Sequence, residues 1–178
     1  FSGVKRRLEL KGRINPVRSF AGFKRKNFWF NEKSSKTSNG VKTKKNSEII
    51  FIDDYGHHPT EICATLETVK ENFPDRRLLV VFQPHRYSRT KILYRKFGKV
   101  FKEANIVRLC EIYPAGENPI KGVSSELILK EIRKNKKDIE MFEFNKFLKE
   151  IKPGDVVLTL GAGDVWQTGE KLIHRLKK

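Results

Sequence analysis

Apolar residues recur along this chain with two different spacings, and each spacing predicts one kind of element. Short apolar runs predict strands at Ile49–Asp53, Leu78–Phe82, Ile106–Ile112, Glu140–Phe142 and Asp155–Leu160. Apolar residues three or four positions apart predict helices at Thr60–Phe73, Ser88–Ala104, Glu126–Lys134, Asn145–Ile151 and after Gly161–Asp164. Because strands alternate with helices, we predict an α/β fold with a Rossmann-like, mainly parallel sheet flanked by helices.

The first 48 residues follow a different pattern. Val4–Lys11 alternates between apolar and charged residues, which predicts a strand, and Gly12 predicts a turn. We expect this strand to pair with Ile49–Asp53 as a hairpin. Asn15–Ser47 holds nine basic residues and one acidic residue and has little periodicity, so we interpret it as an insertion at the hairpin tip.

Two interpretations of this basic insertion stay open. The simpler one is a mobile, solvated loop. The other is a contact for an acidic partner, RNA or a membrane surface, anchored by Phe20, Phe23 and the Phe28–Phe30 aromatic run. The predicted organisation is therefore a linker and first hairpin strand at 1–14, a basic insertion at 15–48 and a Rossmann-like domain at 49–178.

The charge of the chain is concentrated in its first part. The net charge is +17, of which +11 falls within residues 1–48 and +6 within residues 49–178. A basic nucleic-acid-binding module is therefore the alternative hypothesis, and we expect nucleic acid to bind, if at all, through 15–48. No apolar run approaches the roughly 20 residues of a membrane helix, so no membrane partner is expected.

The two cysteines and the first residues bear on the compartment. Cys63 and Cys110 lie within predicted elements, and we expect buried free thiols of a cytoplasmic protein. Phe1-Ser2-Gly3 leads directly into basic residues, without a signal-peptide pattern. Since the chain starts without Met, it is expected to be a fragment or a processed chain.

Unusual polar residues follow the predicted strands at four places. The loops are Asp54–Pro59, Gln83–Arg89, Tyr113–Glu117 and Gly161–Asp164. In a parallel sheet all four emerge at the same edge, where open α/β sheets bind ligands. We therefore predict one ligand site at that edge.

Each loop offers a different chemistry. Asp54 follows a strand, as do the acidic residues that bind a ribose diol, although it is also a common helix cap or turn residue. His57 and His58 lack further ligands at metal spacing, so no metal site is predicted and a hydrogen-bonding or charge-stabilising role is favoured.

A cationic set opens the second helix. Arg86 and Arg89 lie three residues apart beside His85, and on a helix they share a face, which suits a carboxylate or a phosphate. Surface charge is the simpler interpretation of these arginines. Gly161-Ala162-Gly163 permits close backbone approach to a ligand but is often only a tight turn. The sequence contains neither a GxxxxGK[ST] loop nor an evident nucleophilic triad.

Four motifs in order resemble the C-terminal domain of the bacterial Mur ligases, and the alanine-adding members most of all. The motifs are Asp53-Asp54-Tyr55-Gly56-His57-His58-Pro59-Thr60-Glu61, Gln83-Pro84-His85-Arg86-Tyr87-Ser88-Arg89-Thr90, Tyr113-Pro114-Ala115-Gly116-Glu117 and Gly161-Ala162-Gly163-Asp164. Gly3–Arg7 also resembles the segment that crosses from the central domain. The resemblance covers all but about Asn15–Ser47. A tripeptide-recycling ligase shares the first motif, but the second favours the alanine-adding enzymes.

The resemblance implies an ATP-dependent amide ligase of peptidoglycan synthesis in the bacterial cytoplasm. ATP would phosphorylate the carboxylate of UDP-N-acetylmuramate, and the amino group of L-alanine would attack the acyl phosphate. ATP and Mg²⁺ would be bound mainly by a central domain. Because this chain lacks the phosphate-cradling loop, we expect it to be inactive without central and N-terminal domains.

The resemblance also implies roles for individual residues. Asp54 would bind the ATP ribose. His57, His85 and Arg86 would be catalytic, and L-alanine would be held by Tyr55, His57, Arg86 and Arg89. A third hypothesis, besides the ligase domain and the nucleic-acid module, is a Rossmann-like nucleotide-binding protein that needs no partner domain.

Overall fold

A computed structural model describes residues 7–14 and 47–178, which form one six-stranded sheet with helices on both faces. The strands are β1 (Glu9–Ile14), β2 (Ile49–Asp54), β3 (Leu78–Phe82), β4 (Ile106–Leu109), β5 (Ile139–Met141) and β6 (Val156–Leu160). The helices are α1 (Pro59–Asn72), α2 (Tyr87–Leu93), α3 (Ser125–Arg133), α4 (Phe144–Glu150) and α5 (Val165–Leu176), with a 3₁₀ segment at Tyr94–Lys99.

The sheet is mainly parallel, as predicted. Its strand order is β1-β2-β6-β3-β4-β5, and only β1 runs antiparallel to its neighbour. The last strand in the chain, β6, lies in the middle between β2 and β3. Asp54 and Phe82, the final residues of β2 and β3, are both in register with Leu160, the final residue of β6. Three loops therefore leave the sheet at one level.

The two faces of the sheet bury separate apolar clusters. Alternate residues of β2, such as Ile50 and Ile52, face α1, α3 and the 3₁₀ segment. Their neighbours Ile49 and Phe51 face α4 and α5 on the opposite side. Because both faces are covered, the central strands are apolar along their whole length, which explains why the sequence predicted them well.

The first strand lies later in the chain than predicted. The structure places it at Glu9–Ile14 and not at Val4–Lys11, although Val4–Arg6 lie outside the described residues. Gly12, predicted as a turn, lies inside the strand beside a bulge that follows Leu10. The pairing with β2, which continues to Ile14 opposite Ile49, sets the strand's limits here. The hairpin pairing is present, while residues 15–46 of the predicted insertion lie outside the described residues.

The predicted helix Ser88–Ala104 is wrong in its extent. Regular α-helix ends after Leu93 and a 3₁₀ segment follows. This segment runs so close to α3 that a Cβ on Gly98 would lie 3.2 Å from the carbonyl oxygen of Glu131. Asn135 then donates a hydrogen bond to the Gly98 carbonyl. Packing against α3 therefore accompanies the tighter turns. The predicted strand Ile106–Ile112 is likewise shorter, ending at Leu109.

The prediction for the cysteines is confirmed in part, because both thiols are free but neither is fully buried. Cys63 and Cys110 are free and only half-buried, and burial raises the pKa of the Cys110 thiol to about 12. Within residues 7–14 and 47–178, no helix combines the length and the apolar character that crossing a membrane requires.

Phe82 connects the core to the polar edge of the sheet, so its truncation tests the packing. The ring is fully buried, with ring centroids of Phe97 and Phe101 at 5.4 and 5.3 Å. We expect Phe82→Ala to lower the free energy of unfolding by about 3–5 kcal/mol, because it leaves a cavity. Urea unfolding of the chain measures this. Ile92→Ala, at a side chain 76% exposed, should change it by less than about 0.5 kcal/mol. Equal effects of the two substitutions would contradict the assignment.

Candidate active site

The four polar loops meet at one edge of the sheet, which confirms their predicted convergence. The Gly161 amide donates to the Asp54 carbonyl at 3.0 Å, and the Gln83 amide donates to the Leu160 carbonyl at 2.9 Å. The Arg86 amide donates to the Tyr113 carbonyl at 2.8 Å. Backbone hydrogen bonds therefore join each loop to its neighbour and fix the distances between their side chains.

Asp54 holds the first loop from inside. Its carboxylate is 1% exposed and accepts hydrogen bonds from the Leu8 amide at 2.8 Å, the Gly56 amide at 2.7 Å and the Thr65 hydroxyl at 3.2 Å. In this arrangement the carboxylate faces inward. A ribose hydroxyl reaches it only if one of these donors is replaced, and the predicted ribose role stays a prediction.

His57 presents an unprotonated ring nitrogen. Its Nδ1 lies 3.2 Å from the Tyr55 carbonyl oxygen, and since a carbonyl only accepts, Nδ1 carries the proton. Burial lowers the pKa of His57, and the positive charge of Arg89 contributes to this lowering. The neutral ring therefore has a lone pair on Nε2, for which no described residue supplies a hydrogen-bond partner. The Tyr55 ring packs edge-on against this imidazole, with centroids 5.5 Å apart.

His85 has the opposite tautomer. Arg89 Nη1 lies 3.0 Å from its Nδ1, and a guanidinium only donates, so Nδ1 accepts and Nε2 carries the proton. Burial, followed by the charge of Arg89, lowers the pKa of His85 to about 4. The ring stacks on Tyr113 and lies 5.7 Å from the His57 ring. Two neutral imidazoles of opposite tautomer, one able to accept and one able to donate, thus lie side by side.

Arg86 occupies a strained position before α2. Its φ is 71°, a left-handed value that is costly for a residue with a side chain and is common at functional sites. The side chain is 49% exposed, and its Nη1 lies 3.9 Å from a carboxylate oxygen of Glu117. Arg86 precedes the helix while Arg89 lies within it beside His85. The two arginines therefore do not both lie within the helix, although the charges of both act on His85.

His58 and the glycine motif serve the loops themselves. His58 is the N-cap of α1, and its Nδ1 accepts a hydrogen bond from the Thr60 amide. A Cβ on Gly163 would lie 2.6 Å from Cγ of Tyr113, so glycine is needed there for the packing of two loops. Among the described residues, no group of three or more His, Cys, Asp or Glu side chains is placed to hold a metal ion.

Sequence reasoning missed the residues that hold the site in place. Glu117 accepts hydrogen bonds from the Ser88 amide at 3.0 Å and the Ser88 hydroxyl at 2.6 Å, in place of the side-chain cap that α2 otherwise lacks. Gln83 donates to Asp164 at 2.7 Å and accepts from the Val165 amide at 3.1 Å. Glu61 binds the His57 loop. The spacing of Glu61 three residues after the cap of α1 was a usable signal, but the long-range contacts of Gln83 had none.

Comparison with known proteins identifies a consistent group of relatives. A family model described as Mur ligase, glutamate ligase domain, matches residues 41–163. A UDP-N-acetylmuramate–L-alanine ligase of Endomicrobium trichonymphae is 45% identical over 174 residues, which are 97% of this chain and 32% of that protein. The UDP-N-acetylmuramate–L-alanine ligase of Geotalea uraniireducens is 50% identical over 136 residues, which are 73% of this chain and 30% of that protein. The chain thus spans about a third of these relatives' length.

Solved structures show the same fold. The crystal structure of a UDP-N-acetylmuramate-alanine ligase from Thermotoga maritima matches with a TM-score of 0.58 at 27% identity, covering 74% of this chain and 27% of that one. A murein peptide ligase from Psychrobacter arcticus matches with a TM-score of 0.62 at 21% identity, covering 100% of this chain and 31% of that one. At its identity, the second likeness bears on the fold alone.

The ring of His85 provides a direct test of the site's electrostatics. We expect NMR titration to give a pKa of about 4, and Arg89→Ala to raise it toward 6.5 without reaching it, since burial remains. Because the pKa is lower in the folded state, the unfolded chain binds the proton first, and stability falls as the pH drops from 6.5 to about 4. Lys91→Ala, at an exposed position of α2, is the control. A wild-type pKa of His85 near 6.5 would contradict the lowering of this pKa by burial and by Arg89.

Proposed function

The chain belongs to the Mur ligase family, and we propose that it is the C-terminal domain of an ATP-dependent UDP-N-acetylmuramate–L-alanine ligase of peptidoglycan synthesis. The observation that supports this most is the 45% identity over nearly the whole chain to a ligase of that name. The proposed activity belongs to the whole enzyme, acting in the bacterial cytoplasm. This domain presents L-alanine and closes the ATP site against the central domain, while an N-terminal domain completes the enzyme.

The proposed reaction leaves this domain a limited set of tasks. The central domain binds ATP and Mg²⁺ and forms the acyl phosphate of UDP-N-acetylmuramate. The described residues here do not fit a resident metal site, so Mg²⁺ would be held by the central domain. The tasks that remain are to hold the amino acid, to accept a proton from its nitrogen and to stabilise negative charge.

The two imidazoles suit the proton transfer and the charge stabilisation. As the amine nitrogen bonds to the carbonyl carbon of the acyl phosphate, its pKa falls, and the neutral Nε2 of His57 accepts the released proton. The adduct then collapses, the carbon–oxygen bond to phosphate breaks, and phosphate leaves with the bonding electrons. The Nε2 hydrogen of His85 is able to donate to the developing oxyanion, an interaction that is strongest where water is excluded.

The arginines and Tyr55 supply the binding part of the proposal. Arg86 is exposed at the mouth of the site and offers its guanidinium to the carboxylate of L-alanine, an arrangement that favours two parallel hydrogen bonds. Arg89 adds positive charge while it holds His85, and Tyr55 packs beside His57. Asp54 is the proposed ribose ligand, and this role requires one of its three present donors to leave the carboxylate.

The nucleic-acid hypothesis gains no support from the relatives or from the described residues. The described site places imidazoles and guanidiniums in a narrow cluster around a few atoms, not along an extended basic stripe. The basic segment that motivated this hypothesis falls mostly outside the described residues. We therefore retain the ligase proposal.

Arg86 provides the kinetic test of the proposal. In the enzyme with all three domains, we expect Arg86→Ala to raise the KM for L-alanine or lower kcat, with a loss of roughly 10- to 150-fold in kcat/KM. The reason is the loss of charge-assisted hydrogen bonds to the substrate carboxylate. Arg86→Lys should give a kcat/KM between those of the wild type and Arg86→Ala, because it keeps the charge but not the two parallel donors of the guanidinium. Lys91→Ala is the matched control. Kinetics unchanged by Arg86→Ala would remove this residue from the site.

A further inference from the structure

Glu61, which has no role in the proposed reaction, makes several contacts with the loop that carries His57. It is the third residue of α1, and its Oε2 accepts hydrogen bonds from the His57 amide at 3.1 Å and the His58 amide at 3.2 Å. The same oxygen lies 3.8 Å from His57 Nδ1, the nitrogen that carries the proton. Burial raises the pKa of Glu61, but these amide bonds and Arg7 outweigh it and lower the pKa to about 2. The carboxylate is therefore ionised throughout the physiological range.

The other oxygen of Glu61 binds a segment from a different part of the chain. Arg7 Nη2 donates to Oε1 at 3.1 Å, and Arg7 Nη1 lies 3.7 Å from Asp54 Oδ1. The next residue, Leu8, donates its amide to Asp54 Oδ2 at 2.8 Å and has a φ of 45°. A leucine in this left-handed conformation is unfavourable on its own, so surrounding contacts must hold it. Two consecutive residues before β1 are thus fixed by the two carboxylates.

Asp54 and Glu61 lie on either side of the loop that carries His57. Asp54 precedes the loop and holds the Gly56 amide, while Glu61 follows the loop and holds the amides of His57 and His58. Each carboxylate therefore has one set of donors within the loop and one in the segment before β1. A displacement of Arg7 and Leu8 removes charge and hydrogen bonds from both ends of the loop together.

We propose that Arg7 and Glu61 are positioning residues that couple the segment entering β1 to the placement and protonation of His57. With Arg7 seated, Glu61 keeps Oε2 on the two loop amides, and the loop keeps His57 Nδ1 on the Tyr55 carbonyl, so that Nε2 remains available. The consequence for catalysis rests on the proposed function, whereas the coupling itself is a property of this chain. In the proposed enzyme, movement of the preceding domain would reach His57 through this contact.

Amide exchange in the chain itself tests the coupling. Arg7→Ala should speed hydrogen exchange at the His57 and His58 amides by about two- to five-fold, because a partly exposed ion pair contributes up to about 1 kcal/mol. Arg13→Ala is the matched control, since Arg13 lies on β1 in an exposed pair with Glu48 and touches no part of the loop. Exchange at these two amides should not change in Arg13→Ala.

The pKa of His57 is the second readout, and a purely structural contact would leave it unmoved. The charged or titratable groups that act on this ring are Arg7, Glu61 of α1, Arg89 of α2 and the neighbouring His85. Since the charge of Arg7 lowers the pKa of His57, Arg7→Ala should raise it, and Arg7→Lys should restore most of the wild-type value. NMR titration of the ring measures the shift.

The outcomes separate this inference from the proposed function. Faster exchange at both amides together with a raised pKa of His57 in Arg7→Ala supports the coupling. Unchanged exchange, or an unchanged pKa, overturns it. Because neither measurement uses a substrate, both results stand even if the three-domain enzyme fails to ligate L-alanine. If that enzyme is active, kcat should fall two- to five-fold in Arg7→Ala and not in Arg13→Ala.

Discussion

The parallel pairing of β2, β6 and β3 is the constraint on which the site depends. Asp54, Leu160 and Phe82 end their strands in register, so the three following loops begin at the same height and one strand spacing apart. The loop after β4 joins them through the pairing of His85 with Tyr113. A shift of one residue in either pairing would move the loops apart and turn buried side chains toward the opposite face.

Charge is divided within this edge according to what each group binds. The carboxylates of Asp54, Glu61 and Glu117 accept hydrogen bonds from backbone amides and so hold the loops. The guanidinium of Arg86 is half-exposed, and no described residue supplies a hydrogen-bond partner to the Nε2 atoms of the two imidazoles. The carboxylates therefore hold the loops in place. The remaining donors and positive charge suit an anionic substrate such as a carboxylate or an acyl phosphate.

Burial and the arginines also decide the protonation of the imidazoles. A histidine beside a carboxylate normally gains a proton more easily, yet burial and the cationic neighbours of His57 and His85 outweigh Glu61 and Glu117. Neutral rings at neutral pH are useful for proton transfer, because one lone pair and one hydrogen are available together. The opposite tautomers follow from their partners, a carbonyl oxygen for His57 and a guanidinium for His85.

The sequence alone predicted much of this fold. The apolar runs of the central strands were predicted because burial on both faces of the sheet leaves a strong local signal. The helices were predicted from the spacing of their apolar residues, and the four polar loops from their positions after the strands. Tertiary structure decided the rest. Four features depend on partners far along the chain: the place of β6 in the sheet, the end of α2 at Leu93, the start of β1 at Glu9 and the inward direction of Asp54. Local pattern carries no record of such contacts, since they arise only when the sheet has closed around them.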